Sequence, residues 1–399
     1  MTATTRPTAA VSHCPEGDGI VVLGAIVRRP TAGGPAAEEL RDTRRHASVG
    51  MVRARPCGMR KTLEDKVVVM TGASSGIGRA AAVEFAARGA RLVLAARRGE
   101  DLEHTAELCR RAGGTAIVVV TDVTREADVQ NLARQAIEQL GTIDVWVNNA
   151  GVTLFGFLAE APFDDHKRVI ETNLFGAMHG ARAVIPHFKT QGRGVLINVG
   201  SVLSKVGQPY VPSYVISKFA IHGLSEALRA ELAELPDVHV CSIYPFVVDT
   251  PHFEAGASRK SRSARGMPPA QPAEKVARAI VDLAERPRRE VYVPRYVVLG
   301  VALHALAPKT TERLLLRSLS RWHFDEHPQA PTEGNLYEPV DRSQATVHGH
   351  RKPQLGSVAF AAWVIQELVA IQLDTLRHAG RAWFGRRARH SPDTASVAT

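Results

Sequence analysis

The chain has 399 residues, of which 45% are apolar, 23% charged and only 6% aromatic. That composition excludes collagen-like, coiled-coil and wholly disordered proteins, and it allows one large core with extensions. The formal charge of +10 sits partly in the ends, with nine Arg against five Asp plus Glu over residues 1–60 and a basic stretch from Arg377 to Arg389, so it does not point to nucleic acid. Cys14, Cys57, Cys109 and Cys241 lack CxxC or zinc-ligand spacing, and His348/His350 have no carboxylate or cysteine partners at ligand spacing. No metal and no disulfide framework are expected, and a reducing, cytoplasmic compartment fits best.

Residues 1–60 carry no sustained period and are rich in Ala, Thr, Pro, Gly and Arg, as expected of a disordered extension. The apolar run Ile20–Val27 has acids before it and Arg28-Arg29 after it, the wrong polarity for a secretory signal. Translation is expected to start at Met59 or Met51, just upstream of the first strand. From Lys66 to about Pro294 short β-branched runs alternate with amphipathic stretches: strands are expected at Val67–Met70, Leu92–Ala95, Ile117–Val120, Ile143–Val147, Val195–Val199 and Val238–Ile243. The alternation predicts an α/β fold, a doubly wound parallel sheet of Rossmann type with ligands at the carboxyl ends of the strands.

After the first strand comes Thr71-Gly72-Ala73-Ser74-Ser75-Gly76-Ile77-Gly78, followed directly by a strong helix former. Glycines let the backbone turn tightly and approach a pyrophosphate, which the free N–H groups and positive end of the helix then favour. At the end of the second strand stand Arg97 and Arg98, with no carboxylate before Glu100, and Arg79 and the hydroxyls of Ser74 and Ser75 are expected nearby. A free ribose 2′-OH is usually held by an acid there, and a 2′-phosphate by positive charge, so NADP(H) is expected over NAD.

Tyr214 and Lys218 lie four apart in a helical pattern and so share a face. An ammonium beside a phenol favours the phenolate, and the expectation is a Tyr214 pKa lowered toward working pH for general acid/base catalysis.

The ordered set TGxxxGxG, Asp122, Asn148-Asn149-Ala150-Gly151, Asn173, Ser201 and Tyr214-x-x-x-Lys218 resembles the short-chain dehydrogenase/reductase family over about Lys66 to Pro294. The resemblance implies that Asp122 contacts the adenine amino group, that Asn149 to Gly151 lie beside the cofactor, and that Lys218 also holds the nicotinamide ribose. It further implies that Ser201 hydrogen-bonds the substrate oxygen, that Asn173 supports a proton relay through water, and that Val248 and Thr250 contact the carboxamide and phosphate. One departure stands out: Phe246 replaces the family's glycine after Pro245.

Between Thr250 and Pro272 a polar, basic segment occupies the place of the family's substrate lid, and Arg259, Lys260, Arg262 and Arg265 are expected on its solvated surface in preference to meeting an acidic or coenzyme-linked substrate. Beyond the sheet, the apolar runs Tyr296–Ala307 and Leu355–Ile365 are too short to span a bilayer. They are expected to pack on the domain or a second subunit in preference to a membrane surface, residues after Arg381 are expected to be disordered, and Trp322–Val347 gives no assignable pattern.

The division expected is an N-terminal extension (1–60), a catalytic domain (61–295) and a partly helical C-terminal extension (296–399). The function expected is an NADP(H)-dependent oxidoreductase that moves a hydride between nicotinamide and a carbonyl or secondary alcohol, in a homo-oligomer. Two rivals are a nucleotide-binding redox sensor, which has no need of the Asn-Ser-Tyr-Lys set, and a membrane-surface scaffold.

Overall fold

The computed structural model describes residues 62–267, 269–328, 330–340, 346–349, 358–359 and 361–373, all within the unit Gly58–Thr399. The N-terminal extension, the run Ile20–Val27, Cys14, Cys57, His350 and the basic stretch Arg377–Arg389 lie outside the described residues.

Seven parallel strands form the central sheet: β1 (Val67–Thr71), β2 (Arg91–Ala96), β3 (Thr115–Val120), β4 (Val145–Asn148), β5 (Gly194–Val199), β6 (Val238–Pro245) and β7 (Glu290–Val293). Their spatial order is β7-β6-β5-β4-β1-β2-β3. Val67 pairs with Arg91 of β2, and Val68 pairs with Val145 of β4 on the other side. Strand order therefore reverses between β1 and β4, which opens a crevice at their carboxyl ends. All six expected strands are found, and β7 is an addition. Its sequence Glu-Val-Tyr-Val is short and only its last residue is buried, so its pairing with β6 comes from packing more than from local pattern.

Both faces of the sheet are covered. Val68, Met70, Leu92 and Leu94 pack with α1 (Gly76–Ala87), α2 (Gly99–Arg111) and, across from β5 and β6, the later helix Ala273–Glu285. Val67, Val69, Val93 and Trp146 face α3 (Glu126–Leu140) and the helix Gly176–Gln191 on the other side. Alternate residues of β1 thus enter different cores, which is why the strand is a continuous apolar run. Full burial of Trp146 and Phe188 anchors the second core, and truncating either to Ala would cost about 3–5 kcal/mol.

Two further helices, α4 (Phe163–Ile170) and α5 (Gly176–Gln191), are joined by a single π-turn, Glu171–Phe175. Helix α6 (Pro212–Glu231) begins with proline at its first position, where a missing N–H costs nothing. Beyond it follow α7 (Ala273–Glu285), α8 (Val297–Leu306) and α9 (Pro308–Trp322).

Of the run Tyr296–Ala307, expected to pack on the domain or a second subunit, little is buried within the single chain. On α8 only Val297 is buried, while Leu299 is 73% and Leu306 86% exposed. The following chain, which gave no pattern in sequence, forms a strand, Phe324–Pro328, paired antiparallel with Arg262–Ala264 of the lid segment. Residues 361–373 are helical, with Trp363 set edge-on to Trp322 and Arg317 paired with Glu367 at 3.0 Å. Among the described residues no helix is long and apolar enough to cross a membrane.

Candidate active site

The turn after β1 is built around glycine. Gly72 has φ +66°, and a Cβ there would stand 2.8 Å from the Ala150 Cα; a Cβ on Gly78 would stand 2.1 Å from the Gly72 carbonyl oxygen. Asn149 locks this arrangement, its Nδ2 donating to the carbonyls of Thr71 (3.0 Å) and Gly72 (3.1 Å). Helix α1 then starts at Gly76, with no acidic residue in its first turn. No carboxylate competes at its positive end, so the residues of the turn fit the pyrophosphate of a dinucleotide. Ser74, Ser75, Ile77, Val248 and Thr250 line the same cleft.

The other end of the cleft carries the arginines. Arg97 donates to the main-chain carbonyls of Asn335 (2.7 Å), Leu336 (3.4 Å) and Tyr337 (2.7 Å), and Arg98 donates to that of Val340 while pairing with Asp101 at 2.5 Å. A segment of the C-terminal extension thus lies as a strap across the adenosine end. A second contact of the extension reaches the glycine turn, where the Gly76 N–H donates to the Thr346 carbonyl at 2.7 Å. Asp122 accepts from the N–H (3.0 Å) and hydroxyl (2.8 Å) of Thr124 and meets Arg168 at 3.4 Å. Burial works against its charge, but these donors outweigh it and hold the carboxyl below its ordinary range.

Arg79, expected near the arginine pair, is close enough to feel Arg98 and Asp101 but is not among the residues that line the cleft. It is buried at 5% exposure and its Nε donates to Thr105 on α2 at 3.1 Å. The small residues on that side of α1 bring α2 close, and the guanidinium turns inward to bond it.

Ser201, Tyr214 and Lys218 converge at the carboxyl end of β5. Ser201 follows the strand and caps the short turn Val202–Ser204, its Oγ accepting from the Leu203 N–H at 3.1 Å. The Tyr214 phenol is hydrogen-bonded to Ser201. Lys218 Nζ lies 5.4 Å from the centroid of the Tyr214 ring and donates to the Val199 carbonyl at 2.8 Å. Asn173 sits on the π-turn, where its Oδ1 accepts from the Val152 N–H (2.8 Å) and its Nδ2 donates to the Val152 carbonyl and to Ser217 Oγ, both at 3.0 Å. Single π-turns inside helices are frequent at functional sites.

The electrostatics of this group differ from the expectation. Burial pushes the Tyr214 phenol up to about 12, and the hydrogen bond with Ser201, not the charge of Lys218, is what opposes the rise. Burial pulls Lys218 down to about 8. Two neighbouring groups in a dry pocket both resist charging, and desolvation outweighs their mutual help.

Residues 66–260 match the short chain dehydrogenase family. Over 284 residues the chain is 39% identical to an uncharacterized oxidoreductase of Bacillus subtilis, YxnA, covering 70% of this chain and 79% of that protein. The chain belongs to the short-chain dehydrogenase/reductase family. Mouse 17-beta-hydroxysteroid dehydrogenase 13 is 31% identical over 246 residues, or 61% of this chain and 79% of that one. Among solved structures, a short-chain dehydrogenase/reductase from Burkholderia phymatum in complex with NAD is 29% identical, with a TM-score of 0.57 over 63% of this chain and 96% of that chain. An alcohol dehydrogenase from Thermococcus sibiricus complexed with 5-hydroxy-NADP is also 29% identical, with a TM-score of 0.50 over 57% of this chain and 95% of that chain. The chain is therefore an oxidoreductase with the parallel, nucleotide-binding sheet of this family.

In this dehydrogenase/reductase the glycine-to-phenylalanine departure is absorbed without strain. Phe246 is not among the residues of positive φ, and its N–H donates to the Val293 carbonyl at 2.9 Å, in register with β7. The lid arginines are not on a solvated surface. Arg259 binds Asp165 at 2.6 Å, Lys260 binds Glu160 at 3.0 Å and sits 3.7 Å over the Phe157 ring, and Arg262 donates to the Phe324 carbonyl. They fasten the lid and are not left over for an acidic substrate.

Several residues at the cleft went unforeseen: Arg168, which pairs with the lining Asp122, the strap residues Asn335, Pro339 and Val340, and the ring group Phe155, His252, Phe253 and His323 at the other end. No local motif marks them. The only available signal was negative, a loop-rich tail rich in polar residues where a disordered end is ordinarily found.

Proposed function

We propose that the protein is an NADP(H)-dependent reductase that transfers a hydride between nicotinamide and a carbonyl or secondary alcohol, with Tyr214 as general acid/base. The observation that carries this reading is the convergence of Ser201, Tyr214 and Lys218 within the cleft that the glycine turn opens.

When bound, the nicotinamide supplies or accepts the hydride; everything else is the work of the chain. Gly72, Ser74, Ser75, Gly76, Ile77 and Gly78 cradle the pyrophosphate, and Asp122, Asn149, Val248 and Thr250 border the rest of the cofactor. Arg97, held by main-chain carbonyls, is the positive charge at the adenosine end that supports the 2′-phosphate, and Arg98, paired with Asp101, stands beside it. Ser201 donates to the substrate oxygen and Tyr214 gives it a proton during reduction. A buried phenol with a raised pKa is a firm holder of its proton, so negative charge developing on the substrate oxygen, with the Ser201 hydrogen bond beside it, is what draws the proton off. Asn173 acts through position, tying the π-turn to Val152 and Ser217, with proton resupply through water on that side.

Free, buried Cys109 and Cys241 support a reducing, cytoplasmic setting. Exposed Phe175, Met178, Ile216 and Phe219 on α5, the π-turn and α6 support a second copy of the chain, hence a homo-oligomer. We keep the division into extension, catalytic domain (61–295) and C-terminal extension on the same footing. The test is a panel of ketones, aldehydes and alcohols followed by reduced-nicotinamide absorbance with both cofactors. Turnover of a ketone with NADPH is expected; no turnover with any carbonyl or alcohol would sink the reading.

A further inference from the structure

The turn that carries Ser201 is braced at both ends. Gly200 lies against the Tyr244 ring, where a Cβ would stand 2.8 Å from the ring's Cδ1. At the other end the Lys205 N–H donates to the Val202 carbonyl at 3.0 Å, and the Lys205 ammonium reaches His222 Nε2 at 2.8 Å and Glu290 at 3.3 Å. His222 stands on α6 one turn beyond Lys218, and its Nδ1 is 2.9 Å from the Tyr244 hydroxyl. That hydroxyl in turn donates to Glu290 at 3.3 Å. Side chains from the Ser201 turn, α6, β6 and β7 thus close a ring of four hydrogen bonds.

The chemistry of the four groups fixes the direction of each bond. An ammonium only donates and a carboxylate only accepts, so Lys205 gives protons to His222 and Glu290 while Tyr244 gives its own to Glu290. The imidazole must then be neutral, accepting at Nε2 and donating from Nδ1 to the phenol oxygen. Burial, with the Lys205 ammonium next, holds His222 below its ordinary range against the pull of Glu226 and Glu290. Burial likewise raises Tyr244, which keeps the proton it donates. The other charges around the ring are Glu226, 3.6 Å from His222 and paired with Arg289 at 2.9 Å, and Arg229, 3.9 Å from Glu290. Tyr292 donates to the second oxygen of Glu290 at 3.4 Å. A doubly protonated imidazole would set Nε2–H against the ammonium, donor to donor, and the ring could not stay closed.

We propose that Lys205, His222, Tyr244 and Glu290 are positioning residues: their closed ring fixes the turn that aims Ser201 at Tyr214, and protonation of His222 opens it. Ser201 sits between the two braced points, four residues before Lys205 and one after Gly200, so loss of either brace lets the hydroxyl drift from the phenol. Small displacements of a group at the reacting atoms are costly to rate and cost little in binding. Turnover is therefore lost as pH falls through the His222 transition, which lies below the ordinary imidazole value of 6.5. The inference rests on the reductase reading for its effect on turnover, but not for the link between the ring and the turn.

The test titrates the full-length protein from about pH 4.5 to 8 by nitrogen-15 NMR, reading the His222 ring and the amides of Ser201 and Leu203, with reduction of 4-phenylcyclohexanone by NADPH followed in parallel. At neutral pH the His222 proton is expected on Nδ1. The two amides should shift with the His222 midpoint, and kcat should fall about tenfold or more below it with KM little changed. Lys205→Met should raise the midpoint and lower kcat about tenfold at neutral pH, Lys205→Arg should retain most of it, and Glu290→Gln should move the midpoint down. A neutral His222 protonated on Nε2, a midpoint indifferent to Lys205→Met and Glu290→Gln, amides that do not follow His222, or a kcat profile with no step at its midpoint would overturn the inference. Amides that follow His222 in a protein with no turnover would instead count against the reductase reading and leave the ring and its hold on the turn standing.

Discussion

The ammonium of Lys218 donates to the carbonyl of Val199 at 2.8 Å, and the Tyr214 phenol takes its hydrogen bond from the Ser201 side. Lysine and tyrosine are thus neighbours held by different partners. The lysine is fixed by the end of β5, and the tyrosine is aimed by the serine that follows that strand.

Tyr214→Phe removes only the proton donor and leaves the ring in place. Turnover should fall by about 10²–10⁴-fold, while NADPH binding, read by fluorescence titration, should change little. A variant with wild-type kcat would refute the acid/base role.

Stability of the cofactor-free protein should rise with pH in two windows. His252 and His323, near 4 when folded, take up protons near 6.5 when unfolded, so stability present above pH 6.5 is lost as pH falls toward 4. Lys218, near 8 when folded and 10.5 when unfolded, gives the same sign higher up: the unfolded chain binds more protons between pH 8 and 10, and stability climbs there. Above 10 the raised phenol of Tyr214 acts in the opposite direction, because the folded chain then holds the extra proton. Thermal melts of wild type and Lys218→Met across pH 7–10 check this; the upper climb should shrink in the variant, and identical slopes would reject it.

Arg97→Asp places a carboxylate where the 2′-phosphate would bind. The ratio of kcat/KM for NADPH over NADH should drop about tenfold to a hundredfold, in line with the loss of one charged hydrogen bond. An unchanged ratio in steady-state kinetics would remove the NADP assignment.

The strap supplies an independent handle on the same charge. Gly334 precedes it with φ +50°, and a Cβ there would stand 2.4 Å from the Ala255 carbonyl oxygen. Gly334→Ala should displace the turn at a cost of about 1–3 kcal/mol in stability and free the Arg97 guanidinium from its three carbonyls. Tighter NADPH binding with unaltered NADH binding is expected by fluorescence titration; weaker NADPH binding would mean that the strap helps to hold the phosphate end.

What could be read from the sequence was whatever is encoded locally. The glycine turn needs positive φ at Gly72 and bare Cα positions at Gly72 and Gly78, and the Tyr214/Lys218 pair needs only helical spacing. The sheet was legible because fully buried parallel strands must be continuous apolar runs. The inward turn of Arg79 was not legible because charge on a helix says nothing of which neighbour it turns to, nor was the fastening of the lid cations, because their acids, Asp165 and Glu160, lie about a hundred positions away in sequence. The sign of the Tyr214 shift was missed since spacing reports proximity but not dryness. Residues 319–340 escaped altogether: their partners are the backbone of the lid and two guanidiniums far upstream, which no periodicity records.

Ser201, Asn173, Tyr214 and Lys218 sit just after β5, on the π-turn and on α6, whereas the strap that holds Arg97 and Arg98 comes from chain added after the last strand. The converging side chains and the cover on the arginine end of the cleft thus belong to separable stretches of polypeptide. Exchanging the strap for that of a relative would change how those guanidiniums are held while leaving the other end of the cleft as it is.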